Sequence, residues 1–237
     1  MKITSKQIKP NVYRFPHWSK VAPTYGKAIE KLFKQISDTR SFKNYRELGP
    51  EYLRETDRKK GMIAKVTTKG LVEIEVQLGQ KYKGKSVDEA RKSFAGNEFG
   101  LGVYEVGCIL LANPDVLKRF KDLWIDCPGD EYNYGGKWTS VPYFDHDGVK
   151  LYLNAYWSGF ANSNCGSASA FIPAAVSTLE SRIFGSVKPL TLEIKIGKIE
   201  TCHIKVNLQD CTTSTKELED GVILRVPLTI EITEQKE

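Results

Sequence analysis

Histidine, methionine and cysteine are scarce in this sequence, which has three, two and five of them among its 237 residues. The cysteines are scattered along the chain and include no CxxC pair. This spacing argues against a disulfide framework and against a zinc ribbon. We therefore expect reduced thiols, most of them buried.

Long hydrophobic runs are also missing. The longest apolar stretches, such as residues 108–112, are far too short to span a bilayer. The opening stretch MKITSKQIKPNVYRF has no apolar run like the core of a signal peptide. We therefore expect a cytoplasmic location and no membrane partner.

The familiar nucleotide and nucleic-acid motifs are absent. The sequence has no glycine fingerprint and no regular alternation of strand and helix, which argues against a doubly wound nucleotide-binding fold. It also lacks an RNP1 sequence, a zinc finger, a KH-type GXXG loop and a Walker loop. No cofactor is predicted.

The overall composition is that of a globular protein, with 41% hydrophobic and 27% charged residues. Its length suits one domain over residues 1–237, with a subdivision into 1–95 and 96–237 as the alternative. Charge differs sharply between these two parts. Residues 1–95 contain 22 Lys and Arg against 10 Asp and Glu, whereas the remainder contains 13 against 19.

This charge asymmetry predicts an anionic partner for the front half, such as nucleic acid or another polyanion. The alternative is that the acidic rear half packs against the basic front half. Basic residues alternate with aromatic ones in several front-half stretches, where cations could neutralise phosphates and rings could stack on unpaired bases. The predicted contacts are Arg14, Trp18, Lys43, Tyr45, Arg58, Lys59, Lys60, Lys81 and Lys83.

Helix signals are concentrated in the front half. Thr24 is a suitable cap for a helix with apolar residues at helical spacing between 28 and 36. Ser86 and Glu89 form a capping box for a second helix, ended by Gly96. Further helices are predicted over 50–56 and 113–124, and the apolar run 103–111 fits a strand or a helix.

Alternating residues predict antiparallel strands. Residues 62–68 and 71–78 form a hairpin with a Lys69-Gly70 turn, and 138–144 and 149–157 form another with Asp147-Gly148 at its turn. Later segments predict a short helix over 174–184, strands at 190–196, 202–208 and 222–232, and a polar loop at 209–220. The predicted class is α+β, with a mixed helix and hairpin front half and a mainly antiparallel sheet with short helices behind it.

One face of the predicted strand 149–157 carries polar and aromatic side chains. Such a face can stack flat rings and donate hydrogen bonds, which suits sugars and nucleobases. The alternative is an ordinary solvated face on which tyrosine is common. The residues of this face are Lys150, Tyr152, Asn154 and Tyr156.

The stretch CGSASAF, residues 165–171, resembles CGSCWAF, the signature around the catalytic cysteine of papain-like proteases. The resemblance implies a nucleophilic role for Cys165. That family places its histidine roughly 130 residues downstream of the cysteine. Here only 72 residues follow Cys165, and their one histidine, His203, lies in a predicted strand. We therefore expect residues 162–169 to be a loop of small residues.

A second candidate base for Cys165 is His146. It is flanked by Asp145 and Asp147, whose charges could raise its pKa. The acidic residues of this region are also candidate metal ligands or acid–base groups, because hard cations favour carboxylates. The candidates are Asp130, Glu131 and Asp147, and the alternative for them is an ordinary acidic turn.

Three functional hypotheses follow. The first is a non-enzymatic binding protein whose basic, aromatic front half engages nucleic acid or another polyanion. The second is a hydrolase or transferase that uses Cys165 and His146, or the acidic turns of 127–147. The third is a viral or phage structural or assembly protein, which could form a homo-oligomer.

Overall fold

The computed structural model describes residues 2–119 and 123–172, together with four later strands at 191–196, 199–205, 214–218 and 221–225. The chain divides into two compact units, Met1–Thr178 and Leu179–Glu237. The division lies far from residue 95, where the charge changes sign.

The first unit is built on one sheet of twelve strands. The strands are β1 (Lys6–Lys9), β2 (Val12–Pro16), β3 (Phe42–Asn44), β4 (Leu53–Glu55), β5 (Thr67–Thr68), β6 (Leu71–Leu78), β7 (Glu98–Gly100), β8 (Trp124–Asp126), β9 (Asp130–Tyr134), β10 (Lys137–His146), β11 (Leu151–Trp157) and β12 (Cys165–Phe171). The main path of the sheet runs in the order β1-β2-β6-β12-β8-β10-β11-β3, and among these described strands only the pairs β8–β12 and β3–β11 are parallel. The remaining strands pair beside this path, β4 with β9, β5 with β6, β7 with β12 and β9 with β10.

Five α-helices accompany this sheet in the described part of the first unit. The helices are α1 (Tyr25–Ser37), α2 (Asp57–Val66), α3 (Val87–Ser93), α4 (Val103–Ala112) and α5 (Val116–Arg119). As predicted, α1 begins after Thr24, whose side chain accepts the Lys27 N–H, and it buries residues at helical spacing such as Ile29 and Leu32. The capping box of Ser86 and Glu89 at the start of α3 is also confirmed.

The sheet has an apolar face and a polar face. The apolar face packs with α1 and α4 in the core, to which Val72, Ile125, Phe144 and Ala168 contribute. The opposite face carries the residues one position away, so polar side chains such as Ser167 lie there. Residues 79–93 cover part of this polar face, where Gly84 N–H donates to Cys165 O at 2.8 Å and Asp88 N–H to Ser158 O at 3.2 Å.

Several predicted elements are wrong. The segment 50–56 is not a helix, because Leu53–Glu55 form strand β4 beside β9. Residues 62–66 belong to α2 rather than to a strand, and only Thr67–Thr68 pair with β6 across the Lys69-Gly70 turn. The predicted helix 113–124 is shorter than expected, because only Val116–Arg119 are helical in its described part. The run 103–111, for which a strand and a helix were both open, is helical.

The stretch CGSASAF is the largest difference from expectation. It is strand β12 in the middle of the sheet, between β6 and β8, instead of a loop. Small side chains allow close packing there. A Cβ atom on Gly166 would lie 2.5 Å from the Gly79 carbonyl oxygen, so only glycine fits this approach.

The second unit contains two antiparallel hairpins in its described residues. Strands β13 (Thr191–Ile196) and β14 (Ile199–Lys205) form one, and β15 (Ser214–Leu218) and β16 (Gly221–Arg225) form the other. Strand β15 falls within the predicted polar loop. The predicted helix 174–184 and Pro227 lie outside the described residues.

The α+β class is confirmed, because a large, mostly antiparallel sheet packs with separate helices. No helix in the described part of the chain is both long and apolar enough to cross a membrane.

Candidate binding surface

Strand β3 brings a basic, aromatic stretch of the front half against the polar face of β11. The two strands are parallel, and Lys43 is the direct register partner of Tyr152. Beyond the end of β3, Tyr45 N–H donates to Leu153 O at 3.1 Å. Two groups of residues that the sequence suggested separately therefore lie side by side.

The side chains at this edge interact with one another. The Lys43 ammonium lies 4.6 Å from the centre of the Tyr45 ring, and that ring meets Tyr152 edge to face at 6.0 Å. The Tyr45 ring is 50% exposed. The Tyr152 hydroxyl donates to Asp145 Oδ2 at 2.5 Å, which holds its ring in place. The result is an exposed ring beside an exposed cation.

Arg46 continues this surface. Its guanidinium donates to Ala155 O at 3.1 Å, where β11 extends beyond β3. The guanidinium carbon also lies 5.7 Å from the ring centres of Tyr132 and Tyr134. The Tyr134 ring is 67% exposed. We call Lys43, Tyr45, Arg46, Tyr134 and Tyr152 the β3 edge surface.

The other predicted basic contacts do not join this surface, and several are bound to the protein's own carboxylates. Arg14 Nε donates to Glu73 at 2.7 Å, Lys60 to Asp57 at 2.9 Å and Lys81 to Glu98 at 2.7 Å. Internal neutralisation therefore accounts for part of the basic front half.

Five further predicted contacts have other positions. Lys59 is fully buried, so a role in surface binding is corrected to an internal one. The Arg58 guanidinium donates to the backbone carbonyl of Glu98 at 3.0 Å. Trp18 is half-buried against Tyr25, with ring centres 5.9 Å apart. Lys83 is exposed, and Lys150 is partly exposed beside the Asp147 turn.

The geometry does not bring Cys165 and His146 together. Cys165 shares the polar face with Ser167, whereas His146 shares the opposite face with Phe144 and pairs in register with Leu151. The His146 ring nitrogen Nδ1 accepts the Gly148 N–H at 3.0 Å. Burial raises the pKa of the Cys165 thiol, although a hydrogen bond with Tyr156 acts in the other direction. A reactive thiolate is not favoured here.

The predicted acidic residues are also dispersed. Asp130 is buried beside Lys59, Glu131 binds Arg54 Nε at 2.7 Å, and Asp147 accepts the N–H groups of its own turn. Among the described residues, no three His, Cys, Asp or Glu side chains are grouped so that they could hold a metal ion.

One buried carboxyl group was missed by the sequence analysis. Asp126 lies at the end of β8 on the polar face, where its Oδ1 accepts the Tyr156 hydroxyl at 2.6 Å. Burial raises the pKa of Asp126 to about 7, and the Tyr156 bond acts against this rise. The sequence carried one signal of this buried group. Asp126 lies between Ile125 and Cys127, and a single carboxylate between apolar residues of a strand is unusual.

No protein-family model matches this chain, and no curated protein and no solved structure matches it.

Proposed function

We propose that this protein is a non-enzymatic binding protein that engages single-stranded nucleic acid through the β3 edge surface. The observation that carries the proposal is the contact between Lys43, Tyr45 and Tyr152, which combines an exposed cation, an exposed ring and a fixed ring. Single strands are bound by this combination, because rings stack on bases and cations neutralise the neighbouring phosphates.

The arrangement favours a single strand over a duplex. The Tyr45 and Tyr134 rings are exposed, so each can stack on an unpaired base but not on one that is already stacked in a duplex. The contacts of Arg46 with Tyr132 and Tyr134 hold the Tyr134 ring in place. The Tyr134 side chain therefore loses less conformational entropy when a base stacks on its ring.

The charge of this surface predicts moderate affinity. Lys43 and Arg46 supply positive charge, and Asp145 supplies negative charge beside Tyr152. A surface with few cations contacts few phosphates, so binding releases few counterions. Each phosphate contact contributes about −0.7 to the slope of log K against log salt concentration for a single strand. The affinity therefore depends on stacking as much as on charge.

The test is fluorescence anisotropy with a labelled single-stranded oligonucleotide of about 12 nucleotides, within the usual site size. Tyr45→Ala should weaken binding by roughly 5- to 150-fold, which corresponds to about 1–3 kcal/mol for one stacked base. Lys43→Ala should also lower the salt slope by about 0.7. The control is Lys83→Ala, which removes an exposed lysine outside the β3 edge surface.

An unlabelled duplex of the same sequence should compete poorly. The proposal fails if the wild-type protein does not bind the single strand at low salt, or if Tyr45→Ala and Lys83→Ala have equal effects.

A further inference from the structure

Two side-chain oxygens are buried next to each other on the polar face of the sheet, and neither has a hydrogen-bond partner in the part of the chain that the structure describes. They are Asp126 Oδ2 and Ser167 Oγ. Asp126 and Ser167 are direct register partners across the parallel strands β8 and β12, so their side chains are neighbours. Buried polar atoms are nearly always paired, and a site that leaves two unpaired needs an explanation.

The Asp126 carboxyl group also lacks a nearby cation among the described residues. Its one side-chain hydrogen bond comes from the neutral Tyr156 hydroxyl. Burial is the main cause of its raised pKa, and within the described ranges no positively charged residue acts against that rise. This differs from the other buried carboxylates, because Glu98 is paired with Lys81, and Glu105 and Asp130 are paired with Lys59.

Aromatic rings extend from Asp126 to the protein surface. Trp124 precedes Asp126 by two residues on the same face and stacks on Tyr143, with ring centres 5.2 Å apart. Tyr143 is the register partner of Asp126 on β10, and its ring lies 5.0 Å from that of Tyr156. The Tyr156 ring in turn contacts Phe160 at 5.4 Å, and Phe160 is 41% exposed.

We propose that Asp126, Ser167 and the rings of Trp124, Tyr143 and Tyr156 form a binding site for an organic ammonium group, such as a small primary amine. An ammonium group supplies the missing positive charge to Asp126 Oδ2 and has further N–H groups for Ser167 Oγ. Aromatic faces beside a carboxylate add cation–π attraction. A hard metal ion fits less well, because it requires several oxygen ligands and this site has one carboxylate.

Access to this site runs along the aromatic residues. Phe160 lies between two turns in the segment 158–164, outside the strands, and it contacts the Tyr156 ring that covers Asp126. Displacement of the Phe160 ring opens the way to the carboxyl group. The hydroxyl of Tyr156 can then remain bonded to Oδ1 while the ligand binds Oδ2.

Binding of a cation is linked to the protonation of Asp126. An ammonium ion gains from the ionised carboxylate, so its binding releases the proton that Asp126 holds below a pH of about 7. The titratable groups that face Asp126 are Tyr156 from β11, Cys165 from β12 and Tyr143 from β10, and Arg46 and Asp145 act in turn on Tyr143. Cys127, the next residue along the chain, also interacts with the Asp126 charge. The pKa of each of these four groups is raised, first of all by burial, so all four remain neutral between pH 6 and 8. Affinity should therefore be about tenfold lower at pH 6 than at pH 8.

The experiment is an NMR titration of the full chain with methylammonium chloride at pH 8 and pH 6, at constant ionic strength set with sodium chloride. We expect saturable shifts of the resonances of Asp126, Ser167 and Trp124 at pH 8, and about tenfold weaker binding at pH 6. Asp126→Asn should abolish the response, whereas Asp57→Asn, which removes an exposed carboxylate, should preserve it.

Two further measurements test the proposal without the Asp126→Asn variant, which could fail to fold. Ser167→Ala should weaken methylammonium binding several-fold, and tetramethylammonium, which has no N–H group, should bind far more weakly than methylammonium. The proposal is overturned if the folded wild-type protein shows no saturable response at pH 8, if binding does not depend on pH, or if the two cations bind equally well.

Discussion

Lys59 Nζ lies 2.9 Å from Asp130 Oδ1, and both side chains are fully buried. The same ammonium group lies 2.7 Å from Glu105, 3.3 Å from Glu55 and 2.7 Å from the Tyr25 hydroxyl. We call these five residues the Lys59 cluster. Burial lowers the pKa of Lys59, but the three carboxylates outweigh it and raise that pKa above its ordinary value.

The Lys59 cluster joins elements that are distant in sequence. Its residues come from α1, the end of β4, α2, α4 and β9. Asp130 also accepts the Val103 N–H at 2.7 Å, at the first residue of α4. Burial is the largest cause that raises the pKa of Asp130, and the neighbouring Glu105 carboxylate adds to the rise, against the attraction of Lys59. The Lys59 cluster therefore links three helices and two strands in the core of the first unit and stabilises their packing.

Replacement of Lys59 by methionine should destabilise the protein strongly. Lys59→Met leaves three carboxyl groups around an apolar side chain, and loss of one partner from a buried ion pair costs about 3–5 kcal/mol. Urea denaturation would measure the change in the free energy of unfolding. Lys60→Met is the matched control, because Lys60 is the next residue and binds only the exposed Asp57. Equal stability of the two variants would contradict the structural role of the cluster.

Gly102 provides a second test of the same packing. A Cβ atom at this position would lie 2.1 Å from Lys59 Nζ and 2.3 Å from Asp130 Oδ1, so Gly102→Ala must displace buried charged groups. We expect a clear fall in the midpoint of thermal unfolding. The matched change Gly61→Ala meets no atom within 4 Å inside α2 and should stabilise the protein by roughly 0.5–1 kcal/mol. If Gly61→Ala lowers the midpoint as much as Gly102→Ala does, the contact of the new Cβ atom with Lys59 and Asp130 is not what destabilises Gly102→Ala.

Local signals in the sequence predicted the elements that depend on local interactions. Thr24 and Ser86 cap helices because their side chains reach N–H groups three residues later. The segment 62–66 was misassigned because its apolar residues also alternate. Lys59, Ile63 and Val66 are the buried residues of α2, and their spacing of four and three is helical. The cap at Thr56 marked the start of that helix.

The sites depend on contacts that a single sequence does not reveal. Asp126 has no cation beside it among the described residues because its register partners are Ser167, 41 residues later, and Tyr143. The burial of Lys59 requires Asp130, 71 residues away, and the neighbouring Lys60 is exposed although its chemistry is identical. The β3 edge surface was foreseen as two separate groups, because the parallel pairing of β3 with β11 has no local sequence signal.

Glu98 should contribute to acid sensitivity. Burial alone would raise its pKa, but hydrogen bonds from Lys81, Ser169 and Tyr82 outweigh burial and hold the pKa below the ordinary value of 4.5. A lowered pKa in the folded state means that the stabilisation is complete above about pH 4.5 and is lost as the pH falls through the folded value.

Glu98→Gln should therefore reduce the dependence of the thermal midpoint on pH below 4.5, while the midpoint near neutral pH also falls because the charged bond from Lys81 is lost. Thermal unfolding of both proteins from neutral to acidic pH would measure this. Glu30→Gln, at an exposed position on α1, should leave the acid dependence unchanged. If the thermal midpoint of Glu98→Gln depends on acidic pH as strongly as that of the wild type, Glu98 does not contribute to acid sensitivity.

Cys165 should react slowly with alkylating reagents in the folded protein. Its thiol is buried in β12, burial raises its pKa, and the protein offers it a tyrosine instead of a histidine. Alkylation requires the thiolate and access of the reagent, and both are lacking in the folded state. Iodoacetamide labelling followed by peptide mass spectrometry should show little modification of Cys165 near neutral pH and full modification in urea. Rapid labelling of Cys165 in the folded protein, at a rate above that of a free thiol, would restore the nucleophile hypothesis that CGSASAF first suggested.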